Sequence, residues 1–165
     1  MVTDVERDVL LGRLRGLREH ILDQLQGLTG EQLRTPVLPS GWTCLGLVRH
    51  LTLSDERYWF EVVMGGGRLD FWPEGENGDW LVGEHESAEA VIDDYRAAAA
   101  ASDALIERLP LDAAPVKPED WWADAGQSFP DLRTVLAHVL VETATHAGHL
   151  DVARELIDGK QYLVL

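Results

Sequence analysis

Three observations predict an all-α fold. Four stretches of the chain place apolar residues at steps of three and four, the helical repeat, and none shows the alternation of a half-buried strand. Glycine and proline punctuate the chain between those stretches. Two connections are long enough to cross over an end of a packed core. At 165 residues the chain is one domain, 1–165, large enough to bury a real core. Together these features predict a four-helix bundle.

The first helix is expected from about Asp4 to Gln26. Thr3 and Glu6 form a capping box ahead of it, Val5, Val9, Leu10, Leu14, Leu17, Ile21 and Leu25 follow at helical spacing, and Gly27 or Gly30 ends it. His20 has no partner nearby in sequence and reads as a surface or packing residue. Thr29 to Leu33 suggest a short capped turn, and Pro36 and Pro39 force an extended connection. Thr43 caps the second helix, expected from Cys44 to Met64 and stopped by Gly65-Gly66-Gly67. On an α-helical projection Leu47, His50, Leu51, Ser54, Tyr58 and Glu61 share one face.

Residues 65–86 have no periodicity and carry Phe71, Trp72, Trp80 and His85. A connection this long is either a functional lid or an aromatic cover over one end of the core. Ser87 caps a third helix reaching Arg108, rich in alanine. A second loop, with Trp121-Trp122, Asp124 and Gln127, runs to Pro130. The fourth helix is expected from Asp131 to Ile157, closed by Gly159. The last residues, Gln161 to Leu165, are expected to pack back or to meet a partner chain.

The fourth helix carries the chemistry. At about 100° per residue, with His138 at zero, Glu142 lies near 40°, Thr145 near 340°, His146 near 80° and His149 near 20°. This polar stripe borders the apolar face of Leu136, Val139, Leu140, Ala147 and Leu150, so it is expected to point into the bundle or a cleft. Gly148 costs about 1 kcal/mol against alanine inside a helix, which suggests a close helix–helix approach beside the stripe.

Composition removes several function classes. The formal net charge is −15 with only 14 Lys and Arg and no basic block, which argues against nucleic-acid binding. No apolar run approaches the roughly 20 residues of a membrane span, and the first residues lack the pattern of a signal peptide. A lone cysteine, Cys44, excludes an intramolecular disulfide. The expected address is the cytoplasm. Cys44, at a helix start with no histidine beside it in sequence, reads as a small buried hydrophobe rather than a nucleophile.

Glu142 and His146, four residues apart, emerge one above the other and are spaced to grip one cation. Imidazole and carboxylate suit Zn, Ni, Fe or Mn. His50, on the core-facing side of the second helix, is the candidate third ligand, and three protein ligands leave a position open for water or substrate. Other readings stay open from the residues alone. His138 and Glu142 have the same spacing, His149 lies three residues past His146, and the stripe also reads as a solvated face.

The stretch Gly41-Trp42-Thr43-Cys44-Leu45-Gly46-Leu47-Val48-Arg49-His50-Leu51, with Glu142-x-x-x-His146-Ala147-Gly148-His149 far downstream, resembles the DinB/YfiT-like superfamily. Within it the chain is most similar to the branch related to the mini-circle protein of actinomycete bacteria. The resemblance runs from the first helix to Gly159. It implies an up-down-down-up four-helix bundle with a divalent metal, often zinc or nickel, held by one side chain of helix two and two of helix four. Those positions fall on His50, Glu142 and His146. Glutamate at 142 resembles the mycothiol-dependent maleylpyruvate isomerase. Many relatives carry glutamine at the position of His149.

The chemistry this resemblance implies is that of a low-molecular-weight thiol, mycothiol or bacillithiol, activated as thiolate and added to an electrophile. Three functions follow as expectations. The first is a metal-dependent thiol S-transferase or isomerase with His149 or His138 as proton carrier. The second is a hydrolase using metal-activated water. The third is a non-catalytic metal-binding stress-response bundle. The expected partner is a small molecule, and the expected state is monomer or homodimer.

Overall fold

The computed structural model describes the backbone of residues 2–162 and the side chains of residues 5–162. Among the described residues the chain is all helical, with no strand. Helix α1 spans Val2–Leu25 and the short α2 spans Gly30–Arg34. Helix α3, Cys44–His50, continues without interruption as a π-helix over Leu51–Met64. A single 3₁₀ turn, Gly78–Trp80, lies in the following connection. Helix α4 spans Ala88–Arg108, α5 Trp121–Asp124 and α6 Leu132–Asp158.

Local chemistry sets these ends. The hydroxyls of Thr43 and Ser87 accept the amides of Gly46 and Ala90, each at 3.0 Å, and the Asp131 carboxylate accepts the amide of Thr134 at 2.9 Å. Thr29 and Gln32 form a reciprocal capping box on α2. Gly159, at φ 78°, closes α6. The expected cap at Thr3 lies outside the described side chains.

The π-helix ends at the three glycines. The Gly65 amide donates to Phe60 O, five residues back, and the Gly67 amide to Glu61 O, both at 2.9 Å. A Cβ on Gly65 or Gly67 would stand 2.6 or 2.8 Å from Glu61 O, so no larger residue fits this stop.

The π segment corrects the α-helical projection of helix two. Its turns are wider, so the angular step falls and the inner face drifts. Glu61, expected on the inner face, is exposed, while Thr52, Asp55 and Glu56 are buried. His50 sits at the junction, on the last α-helical residue.

Helix α1 packs along α6, and α4 packs along the π-helix. The apolar interior forms two clusters. One gathers Leu14, Trp59, Phe60, Ile106 and Leu136; the other gathers Ile21, Leu45, Leu51, Tyr95 and Leu150. Each such buried side chain contributes about 1.5–3 kcal/mol. Between the clusters each long helix carries a buried polar side chain: Arg18, Asp55 with Glu56, Ser102 and Thr143. Arg18 donates to both oxygens of Glu56, at 2.7 and 2.6 Å, and to Asp103 at 2.5 Å. This bidentate fork is what permits a guanidinium to be buried there.

One other expectation is corrected by the packing. Gly148 marks no close approach: a Cβ there would meet nothing within 4 Å, and the residue lines an open groove between α1 and α6. His20 is a packing residue: its Nε2 lies 2.7 Å from Asp151 Oδ1, far along the chain, and its ring meets Tyr162 at 3.8 Å, so the tail packs back at that residue. Residues 163–165 lie outside the described residues.

Candidate active site

The two expected histidines of α3 and α6 meet. The rings of His50 and His146 stand 5.0 Å apart, edge to face. A carboxylate that sequence reading did not single out fixes the first of them: Asp79 Oδ2 lies 2.6 Å from His50 Nδ1. Trp80, the next residue, stacks on His50 at 4.1 Å and meets His146 at 5.6 Å. The 3₁₀ turn reaches this depth because Gly46 has no side chain; a Cβ there would stand 2.5 Å from Trp80 O.

His146 Nδ1 is buried and has no hydrogen-bond partner. Desolvation, followed by the neighbouring His50 and His149, pushes its pKa down to about 4, so it is neutral near pH 7. His149 is exposed, with its ring 5.7 Å from His146 and 6.4 Å from Trp42. Thr145 leaves the stripe altogether: it is exposed and its hydroxyl donates to Val141 O at 2.8 Å.

His50 and Glu142 line a cavity of about 500 Å³. Asp55, Tyr58, Trp59 and His138 come from the helices, and Leu69, Trp72, Trp121 and Gln127 from the two long connections. The connections are therefore more than an end cover. His138 is held against Trp59 and Phe129, with ring separations of 4.7 and 4.9 Å, and desolvation lowers its pKa. Asp55 is buried, with Oδ2 accepting from the Thr143 hydroxyl at 3.1 Å. Burial, reinforced by Glu56, pushes its carboxyl well above the usual range. Cys44 is buried in the packing of α3, and desolvation pushes its thiol up to about 11.

The residues divide into those brought together and those left apart. His50 pairs with His146, and Glu142 shares the cavity wall with His50 and His138. Two imidazoles bound to one tetrahedral ion at about 2.1 Å would have ring centroids roughly 5.3 Å apart, close to the spacing of this pair. A metal-binding imidazole ordinarily gives its second nitrogen to a carboxylate, which is the relation of His50 to Asp79. The unpartnered, neutral His146 has the form a ligand needs. The pair thus fits a divalent ion in its donor chemistry. Among the described residues, however, no three His, Cys, Asp or Glu side chains stand close enough as placed to hold one.

Asp79 escaped sequence reading, and Trp80 was read only as part of a lid or cover, because they stand 29 and 30 positions from His50 along aperiodic chain. The only local signal was the Gly-Asp-Trp triplet itself, an acid and an aromatic in a long loop.

No curated protein and no solved structure matches the chain. The family model described as mycothiol-S-transferase matches residues 9–159, which take in the whole site from Trp42 to His149. The chain belongs to the mycothiol S-transferase family.

Proposed function

We propose that the protein is a metal-dependent S-transferase that joins a low-molecular-weight thiol of the mycothiol type to an electrophile. The observation that supports it is the edge-to-face pair of His50 and His146, with Asp79 bonded to one ring and the other ring neutral and unpartnered, His50 itself lining a cavity. Family membership supplies the thiol. The fold assigned with this reading is the DinB-type up-down-down-up bundle formed by α1, α3 with its π extension, α4 and α6.

His50, Glu142 and His146 are the residues that would hold the ion, with zinc or nickel suiting two imidazoles and a carboxylate. When bound, such an ion supplies the positive charge that makes a thiol lose its proton near neutral pH. The chain's own groups do the rest. Asp79 accepts a hydrogen bond from His50 Nδ1–H, which fixes the tautomer and leaves Nε2 with a bare lone pair. Trp80 stacks on His50, keeping water from one face of that ring, and meets His146 edge to face. The Glu142 carboxylate balances part of the ion's charge.

His138 in the cavity wall and the exposed His149, beside His146, are the candidate proton carriers. One of them takes the thiol proton as the sulfur lone pair forms the C–S bond, and the electrophile's leaving group departs with its bonding pair. In an addition to a double bond, the carbanion that forms takes that proton back. Cys44 has no part in this: it is a thiol with a pKa near 11 inside the core.

The test is thiol consumption with an electrophile panel, run on the purified protein after metal analysis. Thiol-dependent turnover that falls in His50→Ala and His146→Ala supports the transferase. Hydrolysis without thiol would assign metal-activated water instead. An ion without turnover or thiol binding would leave a binding protein.

A further inference from the structure

Thiol activation accounts for the sulfur and leaves the electrophile without a partner on the protein. The cavity shared by His50 and Glu142 offers one in Tyr58, eight residues beyond His50 on the same continuous helix. Its ring is half-buried and fixed edge to face against Trp59 at 5.3 Å and Trp72 at 6.2 Å. Tyr58 is thus a polar tip on a rigid aromatic wall, the kind of group that orients a ligand in a mostly apolar cavity.

What sets Tyr58 apart is the way its hydroxyl is held. Desolvation raises its pKa, and the indole N–H groups of Trp121 and Trp122 act on its oxygen in the opposite direction. The phenol stays protonated near neutral pH, with two donors behind its oxygen and no acceptor for its own proton among the described residues. Trp122 is 5% exposed, yet its N–H is buried with no partner at full hydrogen-bond geometry. Such a group is costly to leave unpaired. A phenol oxygen becomes a better acceptor once its own proton is donated, so a ligand oxygen on Tyr58 would satisfy Trp122 as well. Ser54 and Gln127 stand on the same wall without such a pair of donors among the described residues.

We propose that Tyr58 is a catalytic residue whose O–H donates to the carbonyl oxygen of the electrophile, and that the electrophile is an α,β-unsaturated carbonyl compound. The reaction rests on the S-transferase reading; the hydrogen bond to a carbonyl ligand stands apart from it. As the sulfur lone pair forms the C–S bond at the β-carbon, the C=C pair shifts toward the carbonyl and negative charge gathers on its oxygen. A donor already held at that oxygen stabilises the charge as it forms and keeps its own proton. The α-carbon then takes the proton that left the thiol, which restores the carbonyl in a thioether product. An electrophile that expels halide puts its charge on the departing atom and has no oxygen for Tyr58 to hold. A conjugated carbonyl carries its charge several bonds from the new C–S bond, which suits a donor on the same wall but apart from the proposed ligands.

Two measurements on the purified protein test it, one of them independent of turnover. Benzylideneacetone is bound without thiol and its carbonyl stretch is read by infrared difference spectroscopy. The stretch is expected at lower wavenumber in the wild type than in Tyr58→Phe, which keeps the ring and removes the donor. With mycothiol as the thiol, Tyr58→Phe is expected to lower kcat/KM for benzylideneacetone at least about tenfold more than for benzyl chloride, chiefly through kcat. The same stretch in both proteins, no binding of the ketone, or an equal loss on both electrophiles would overturn the proposal. A shifted stretch with no thiol transfer to any electrophile of the panel would overturn the S-transferase reading and leave Tyr58 as the donor to a carbonyl ligand.

Discussion

His50 and Asp79 are joined by a 2.6 Å hydrogen bond across 29 residues of chain, and that bond decides which nitrogen of His50 is left with a lone pair. The acid comes from a one-turn helix whose approach depends on the bare Cα of Gly46. Site geometry in this protein is therefore set by a loop as much as by the long helices.

Asp79→Asn should weaken the site without unfolding the protein, because the amide keeps the shape and loses the charge. Outer carboxylates of this kind are worth about 10–100-fold in metal affinity or activity. Metal titration and kcat/KM measured on the same preparation check this, and unchanged values in both would remove Asp79 from the site.

Arg18→Ala should destabilise the fold by about 3–5 kcal/mol, since it strands the buried Glu56 without its counter-charge. Replacing both partners, as Arg18→Met/Glu56→Met, should recover most of the loss. Urea unfolding midpoints of the three proteins decide it.

Asp55→Asn should stabilise the protein increasingly as pH rises. The folded carboxyl is held well above its usual range by burial, whereas the unfolded one ionises near pH 3.9. Above that value the unfolded state sheds a proton that the folded state keeps, so wild-type stability falls with rising pH until the folded group ionises. The variant lacks this loss. The difference in unfolding free energy between the two proteins should be small below pH 4 and should grow as pH rises above it; a flat difference would mean that Asp55 ionises normally.

Cys44 should resist iodoacetamide at pH 8 in the native protein and react readily in urea. With its pKa near 11 only about one part in a thousand is thiolate at that pH, and the side chain is buried besides. Cys44→Ala should retain thiol-transfer activity. Loss of activity in a folded Cys44→Ala protein would put the nucleophile on the chain.

The long helices were legible because their signals are local. Apolar steps of three and four, the caps Thr43 and Ser87, and the stop at Gly159 are each read within a few residues. The π-helix was not legible, because a switch from bonding four residues back to five leaves residue types unchanged. That switch moved Asp55 and Glu56 inward and Glu61 outward. The pairing of His50 with His146 was expected from their placement on core-facing stripes. Asp79 was assigned no role in sequence, and Trp72 and Trp80 only the coarse one of lid or cover, because loops of this length carry no periodicity to say where they fold.

Metal content of the purified protein, measured beside His50→Ala, Glu142→Ala and His146→Ala, bears most directly on the assigned site. About one divalent ion per chain is expected in the wild type, as for a three-ligand open site, with loss of most of it in each variant. Full metal content in all three folded variants, or none in a wild type supplied with zinc and nickel, would contradict the assignment.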